Sequence, residues 1–163
     1  MPAGLDAAPA WSPDGARIAG GSGYASRCPP HGEPCTRYDK LFVANADGSG
    51  FTIVARGLRP TWSPDGRIAF ESRDIYVMNP DGSGVTNLTN GEGGSLPAWS
   101  PDGTRLAFVR YSAGAVHLYV MNADGSGVTQ LTHENYHDLG RPAWSPDGTR
   151  IAFASDKDGD YEI

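Results

Sequence analysis

Three groups of side chains in this sequence have the types and spacing to do chemistry. Cys28 and Cys35 flank a polar excursion, Pro29-Pro30-His31-Gly32-Glu33-Pro34. Two cysteines in so turn-rich a segment read as a local disulfide pinning a loop, which implies an oxidising compartment. A zinc site built on Cys28, His31 and Cys35 lacks a fourth ligand and a standard spacing. Two free thiols are the remaining reading. The second group is Asp156, Asp158 and Asp160, alternating around Gly159 ahead of Glu162. Alternating carboxylates can converge on a hard cation such as calcium. The glycine comes earlier than in an EF-hand, however, and an Asp/Gly-rich turn needs no metal. The expectation is therefore no cofactor, with calcium the one candidate.

The third group is larger and looser: Tyr24, His31, Tyr38, Tyr111, His133, Tyr136, His137 and Asp138. Tyrosine and histidine join an apolar body to a polar tip and mark contact surfaces. Freely varying loop composition is the plainer explanation for any one of them. Evidence for catalysis is thin. No Gly-x-Ser-x-Gly nucleophile elbow and no phosphate-cradling glycine loop is present. The expectation is a protein that is not an enzyme.

What must position these residues is a repeat. Trp-Ser-Pro-Asp-Gly occurs at Trp11, Trp62, Trp99 and Trp144, using all four tryptophans. Each copy runs on into a short apolar segment, such as Arg105-Leu106-Ala107-Phe108 or Arg150-Ile151-Ala152-Phe153. In three copies a second run follows (Leu41-Phe42-Val43, Ile75-Tyr76-Val77-Met78, Leu118-Tyr119-Val120-Met121). Each of these leads to Asp-Gly-Ser-Gly, at Asp47, Asp81 and Asp124, and then to a last short segment. Ser-Pro-Asp-Gly puts proline where a turn wants its fixed φ, and Asp-Gly-Ser-Gly supplies residues that tolerate positive φ. Each repeat is therefore a meander of four antiparallel strands, A to D. In strand B the large residues share one face and alanine takes the other, which suits a sheet packed on both sides by its own kind. Four-stranded units repeating at roughly 40–50 residues are propeller blades.

The fold expected is all-β: a β-propeller of four consecutive four-stranded blades at about 9–56, 60–89, 96–132 and 141–163. The fourth stops short, so the array is expected to belong to a larger ring or to self-associate through its open edges. Composition agrees with short strands and tight turns, with 22 glycines, 13 prolines and 39% apolar residues. A net charge of −6 without a basic run argues against nucleic acid. No stretch approaches the roughly 20 apolar residues of a membrane span, and Met1 to Ala10 do not read as a signal peptide.

The string Pro97-Ala98-Trp99-Ser100-Pro101-Asp102-Gly103-Thr104-Arg105-Leu106-Ala107-Phe108 carries a resemblance. With Tyr119-Val120-Met121-Asn122-Ala123-Asp124-Gly125-Ser126-Gly127 and Leu131-Thr132, it resembles the WD-like repeat of TolB-type propellers. That resemblance implies an exported module, periplasmic or extracellular, working by contact with an envelope-associated protein. Related repeats also occur in the propeller portions of hydrolases and lyases. A sugar- or calcium-binding module, or such a propeller portion, is the alternative function.

Strand direction divides the blade in two. A–B and C–D turns emerge on one side and are nearly identical in every copy, whereas B–C and D–A connections emerge on the other and vary. The variable B–C segments are read as 24–39, 73–74, 111–115 and 156–160. Binding residues sit preferentially on variable loops carried by a rigid frame, which places the tyrosine and histidine set on the working face. His117, on a strand, is the exception among the histidines.

Overall fold

The computed structural model describes residues 9–25, 37–112, 114–134, 136 and 138–156. They form an all-β propeller array. Blade 1 contains β1 (Ala10–Trp11), β2 (Arg17–Ala25), β3 (Arg37–Asn45) and β4 (Thr52–Ala55). Blade 2 contains β5 (Leu58–Trp62), β6 (Ile68–Ser72), β7 (Asp74–Met78) and β8 (Thr86–Asn87). Blade 3 contains β9 (Ser95–Trp99), β10 (Arg105–Ser112), β11 (Ala115–Asn122) and β12 (Thr129–Gln130). Blade 4 shows β13 (Ala143–Trp144) and β14 (Ile151–Ala152) among the described residues. Within each sheet the strands lie in chain order and pair antiparallel.

The A–B turn is the same small machine in every blade. In the third, the Ser100 hydroxyl donates to Asp102 Oδ1 at 2.5 Å, and the Arg105 amide donates to Ser100 Oγ at 2.9 Å. Asp102 also accepts the Thr104 amide at 3.0 Å. These donors, the Ser100 hydroxyl first, hold the Asp102 carboxyl down at about 2, and the equivalent set holds Asp147 at about 2. The C–D turn repeats just as closely: Asn122 Nδ2 donates to Ser126 Oγ at 2.9 Å, and the Ser126 amide to Asp124 Oδ1 at 2.9 Å.

The core lies between blades rather than inside one. Ala69, Ile75, Val77 and Leu88 of blade 2 meet Trp99, Leu106, Phe108, Tyr119 and Met121 of blade 3. Ile68 and Phe70 turn the other way, toward Ala19, Leu41 and Val43 of blade 1. The alternation along strand B thus gives each sheet two buried faces, and neither face could be buried by a lone blade.

The B–C connections differ from the sequence expectation. β2 and β3 go on pairing to Tyr24 opposite Tyr38 and Ala25 opposite Arg37. β10 and β11 likewise pair as far as Ser112 opposite Ala115. Tyr24, Tyr38 and Tyr111 therefore stand on strands of projecting hairpins rather than in loops. Continued pairing satisfies backbone groups that a loop of that length would leave to water.

Candidate partner-binding face

The side of blades 2 and 3 that carries their B–C and D–A connections is organised by two carboxylates. Asp74, at the start of β7, is buried at 7% exposure. It accepts Asn87 Nδ2 at 2.7 Å, Thr89 Oγ1 at 3.0 Å, the Gly91 amide at 3.0 Å and the Gly93 amide at 2.9 Å. Burial by itself would raise the Asp74 pKa, but these four donors outweigh it and leave it lowered. The whole D–A connection 88–94 is thereby folded around one side chain, next to the tight B–C turn at Arg73, whose φ is 68°.

Glu71 does the second job, nearer the inner strands. Its Oε1 takes Arg59 Nη1 at 2.6 Å and its Oε2 takes the Leu96 amide at 2.9 Å, tying blade 2 to blade 3. Arg59 and Leu96 both precede proline and both have positive φ, 51° and 55°. That conformation is disfavoured before proline, and the shared carboxylate holds both in it. Arg141 completes the set, donating from Nη2 to the carbonyls of Pro60 and Pro97, each at 3.1 Å. Burial lowers the Arg141 pKa from its ordinary value.

Between these anchors lies a cleft of about 310 Å³ lined by Glu71, Arg73, Gly94, Val109, Arg110 and Tyr111, among others. Arg110 stacks over Phe108 and Tyr119 at 5.3 and 5.0 Å and pairs with Glu92 at 2.7 Å, so it serves as a packed wall. Tyr111 is 72% exposed at the rim. Val116 pairs with Tyr111 in the hairpin and bridges to Tyr136. The segment around Tyr136 consequently runs beside β11, and exposed His133 and Asp138 lie to either side of that bridge in sequence. The Asp138 amide donates to Asp156 Oδ1 at 3.0 Å.

Tyr136 is a correction to the contact set. It is 7% exposed, packs edge-on to Phe153 with ring centroids 6.3 Å apart, and belongs to the core between blades 3 and 4. An aromatic residue in a polar loop looks like a contact residue until the fold brings its partner from the next repeat. His117 is buried at 6% exposure, in keeping with its strand position. Cys28, His31, Cys35, His137, Asp158 and Asp160 lie outside the described residues, as do the side chains of Tyr24 and Tyr38.

The contact reading of this segment also passes over a sharper motif. His133-Glu134-Asn135-Tyr136-His137 spells His-Glu-x-x-His, the zinc and general-base signature of metalloproteases. That chemistry needs a helix, on which residues four apart share a face. Here Tyr136 sits in an antiparallel bridge, and the described residues of the segment form no helix. Among the described residues no group of three or more His, Cys, Asp and Glu could hold a metal ion. Glu71, Arg110 and Arg141, absent from the contact set, carried no local signal beyond lying near the variable segments, and Asp74 was reached only as part of the segment 73–74.

Comparison with known proteins agrees with this architecture. Residues 30–163 match the family model of the TolB beta propeller domain. The chain is 36% identical over 107 residues to the protein TolB homolog of Chlorobium luteolum, covering 62% of this chain and 23% of that one. It is 35% identical over 82 residues to the Tol-Pal system protein TolB of Alcanivorax borkumensis, covering 43% and 19%. It thus spans about a fifth to a quarter of these relatives' length. Among solved structures, the putative TolB from Agrobacterium tumefaciens superposes with a TM-score of 0.63 at 23% identity, covering 96% of this chain and 72% of that one. An oligogalacturonate lyase in complex with manganese shares the fold at TM-score 0.60 and 16% identity, covering 94% and 62%. With its repeat, its sheets and the family model in agreement over most of its length, the chain belongs to the TolB beta propeller domain family.

Proposed function

We propose that this chain is a non-enzymatic scaffold that binds a protein partner through the face formed by its B–C and D–A connections. The observation that carries the reading is Tyr111. It is a large amphipathic side chain, 72% exposed, held on a paired strand above a cleft. A tyrosine so presented gives up little conformational freedom on binding, as contact anchors require. His133 and Asp138 extend the same surface. Kinship with TolB-type propellers supports the setting expected from the sequence, an envelope-associated partner met in the periplasm or outside the cell, and a disulfide between Cys28 and Cys35 would fit such an oxidising compartment.

The test is capture from the host's envelope fraction by the chain and by its Tyr111→Ala variant. A protein retained by the parent and reduced tenfold or more with the variant supports the reading; equal recovery by both overturns it. The other class, a sugar- or calcium-binding module or the propeller portion of a hydrolase or lyase, draws on the fold shared with the lyase. It predicts retention on a sugar matrix, or heat on titration with calcium or zinc.

A further inference from the structure

The cleft of about 310 Å³ between blades 2 and 3 is walled by two sheets whose four strands are all described. The charged side chains that line it are Glu71, Arg73 and Arg110. Glu71 is already committed, with one oxygen on Arg59 and the other on the Leu96 amide. Asp74 does not line the cleft, and its oxygens are taken by donors from Asn87 to Gly93. What the walls leave uncommitted is cationic, in a chain whose net charge is −6.

Arg110 is the more tightly held of the two cations. Its side chain is only 10% exposed, packed on the rings of Phe108 and Tyr119, and its Nε donates to the Gly93 carbonyl at 3.2 Å. Nη1 donates to Glu92 Oε2 at 2.7 Å, whereas Nη2 is buried and has no hydrogen-bond acceptor. A buried donor left without an acceptor costs free energy. A guanidinium is also shaped to take both oxygens of one carboxylate on two of its nitrogens, and Glu92 occupies only one of them. The Glu92 side chain is 70% exposed, and an ion pair so open to water on one side is worth little. Arg73 supplies the second cation. It is exposed, stands at the tight B–C turn with φ 68°, and has no ion pair among the described residues.

We infer that this cleft receives an acidic side chain of the protein partner, whose carboxylate displaces Glu92 and is held by both Nη nitrogens of Arg110. The inference rests on the partner-binding reading given above and adds the partner's chemistry to it. Arg73 draws the carboxylate in, and exposed Tyr111 at the rim packs on the rest of the partner's segment. Glu92 is then the chain's own stand-in, covering Arg110 until the partner's acid takes its place. The occupant is a side chain rather than an oligosaccharide, because a space of about 310 Å³ takes one or two side chains and not a run of sugar rings.

Fluorescence polarisation with the full 163-residue chain reads the inference. The probe is a labelled decapeptide of alternating Glu and Gly, compared with the same peptide carrying Gln in place of Glu. The Glu peptide is expected to bind about tenfold or more tightly than the Gln peptide, and to weaken as salt rises from about 50 to 500 mM. Arg73→Glu should weaken it about tenfold. Arg110→Lys keeps the charge but loses the fork, and should weaken it as well. Glu92→Gln carries the opposite sign: it removes a competitor and a repelling charge, so binding should tighten about threefold or more. Far-UV circular dichroism checks folding; should Arg110→Lys fail to fold, Arg73→Glu and Glu92→Gln, both at exposed positions, decide the matter. Equal binding of the Glu and Gln peptides overturns the inference, as does a Glu92→Gln variant that binds no more tightly than the parent. Tighter binding of tri-galacturonate than of the Glu peptide would overturn it too. Envelope capture that depends on Tyr111 would survive each of these results, so the two readings fail separately.

Discussion

Replacing Asp74 by alanine is expected to lower the stability of the chain by about 3–4 kcal/mol, a fall in Tm of roughly 10 °C. The size follows from what one carboxylate holds. Four donors converge on it, two of them backbone amides of Gly91 and Gly93 in a loop with no strand partner for them. Alanine would strand all four at once beside a buried Thr89, whose hydroxyl also caps the Ile75 amide at 3.1 Å. Asp74→Asn keeps the shape but only one acceptor oxygen, and should recover about half of the loss. Thermal unfolding followed by circular dichroism measures both. If Asp74→Ala melts within a degree or two of the parent, the loop is organised by something other than this side chain.

A second large effect is expected at Gly125, and a matched glycine separates its two causes. Gly125 has φ 87°, and a Cβ built there would lie 2.7 Å from the Leu88 carbonyl oxygen and 3.1 Å from the Leu88 Cα. Gly48 is the same position of the same turn in blade 1, at φ 83°, with nothing within 4 Å. Alanine at either site pays for a left-handed backbone, about 1–2 kcal/mol. Only at Gly125 must it also push two blades apart, because the obstacle is backbone and cannot rotate away. Gly48→Ala should therefore cost about 1–2 kcal/mol and Gly125→Ala about 3–4 kcal/mol. Equal losses in chemical denaturation would mean that the C–D turn does not bear on the neighbouring blade as described.

These two sites show which parts of the molecule a reader of the sequence can reach. Turns and strands were legible because their causes are local. Proline, glycine and asparagine fix the A–B and C–D hairpins within five residues, and the repeats fix the order of the blades. The alternation of Ile68, Ala69 and Phe70 even announced two buried faces. The joints were not legible in the same way. Arg67 finds Trp99, and Glu71 finds the Leu96 amide, only after the chain has gone round most of a blade. Tyr136 was misplaced for the same reason, since the ring that buries it, Phe153, belongs to the next repeat. On the side of the B–C and D–A connections, exposed Tyr111, His133 and Asp138 stand where variable segments were expected. Asp74 and Glu71, which hold that face in shape, look in the sequence like ordinary acidic residues near a turn.

The proposed partner is assigned to the face formed by the B–C and D–A connections. Once a protein has been captured, hydrogen exchange of the chain with and without it tests that assignment directly. Protection is predicted at residues 90–94, 110–116 and 132–138, with the A–B and C–D turns at 13–16, 47–50, 81–84 and 124–127 unchanged. Protection confined to those repeated turns, with the variable segments exchanging as before, would contradict it.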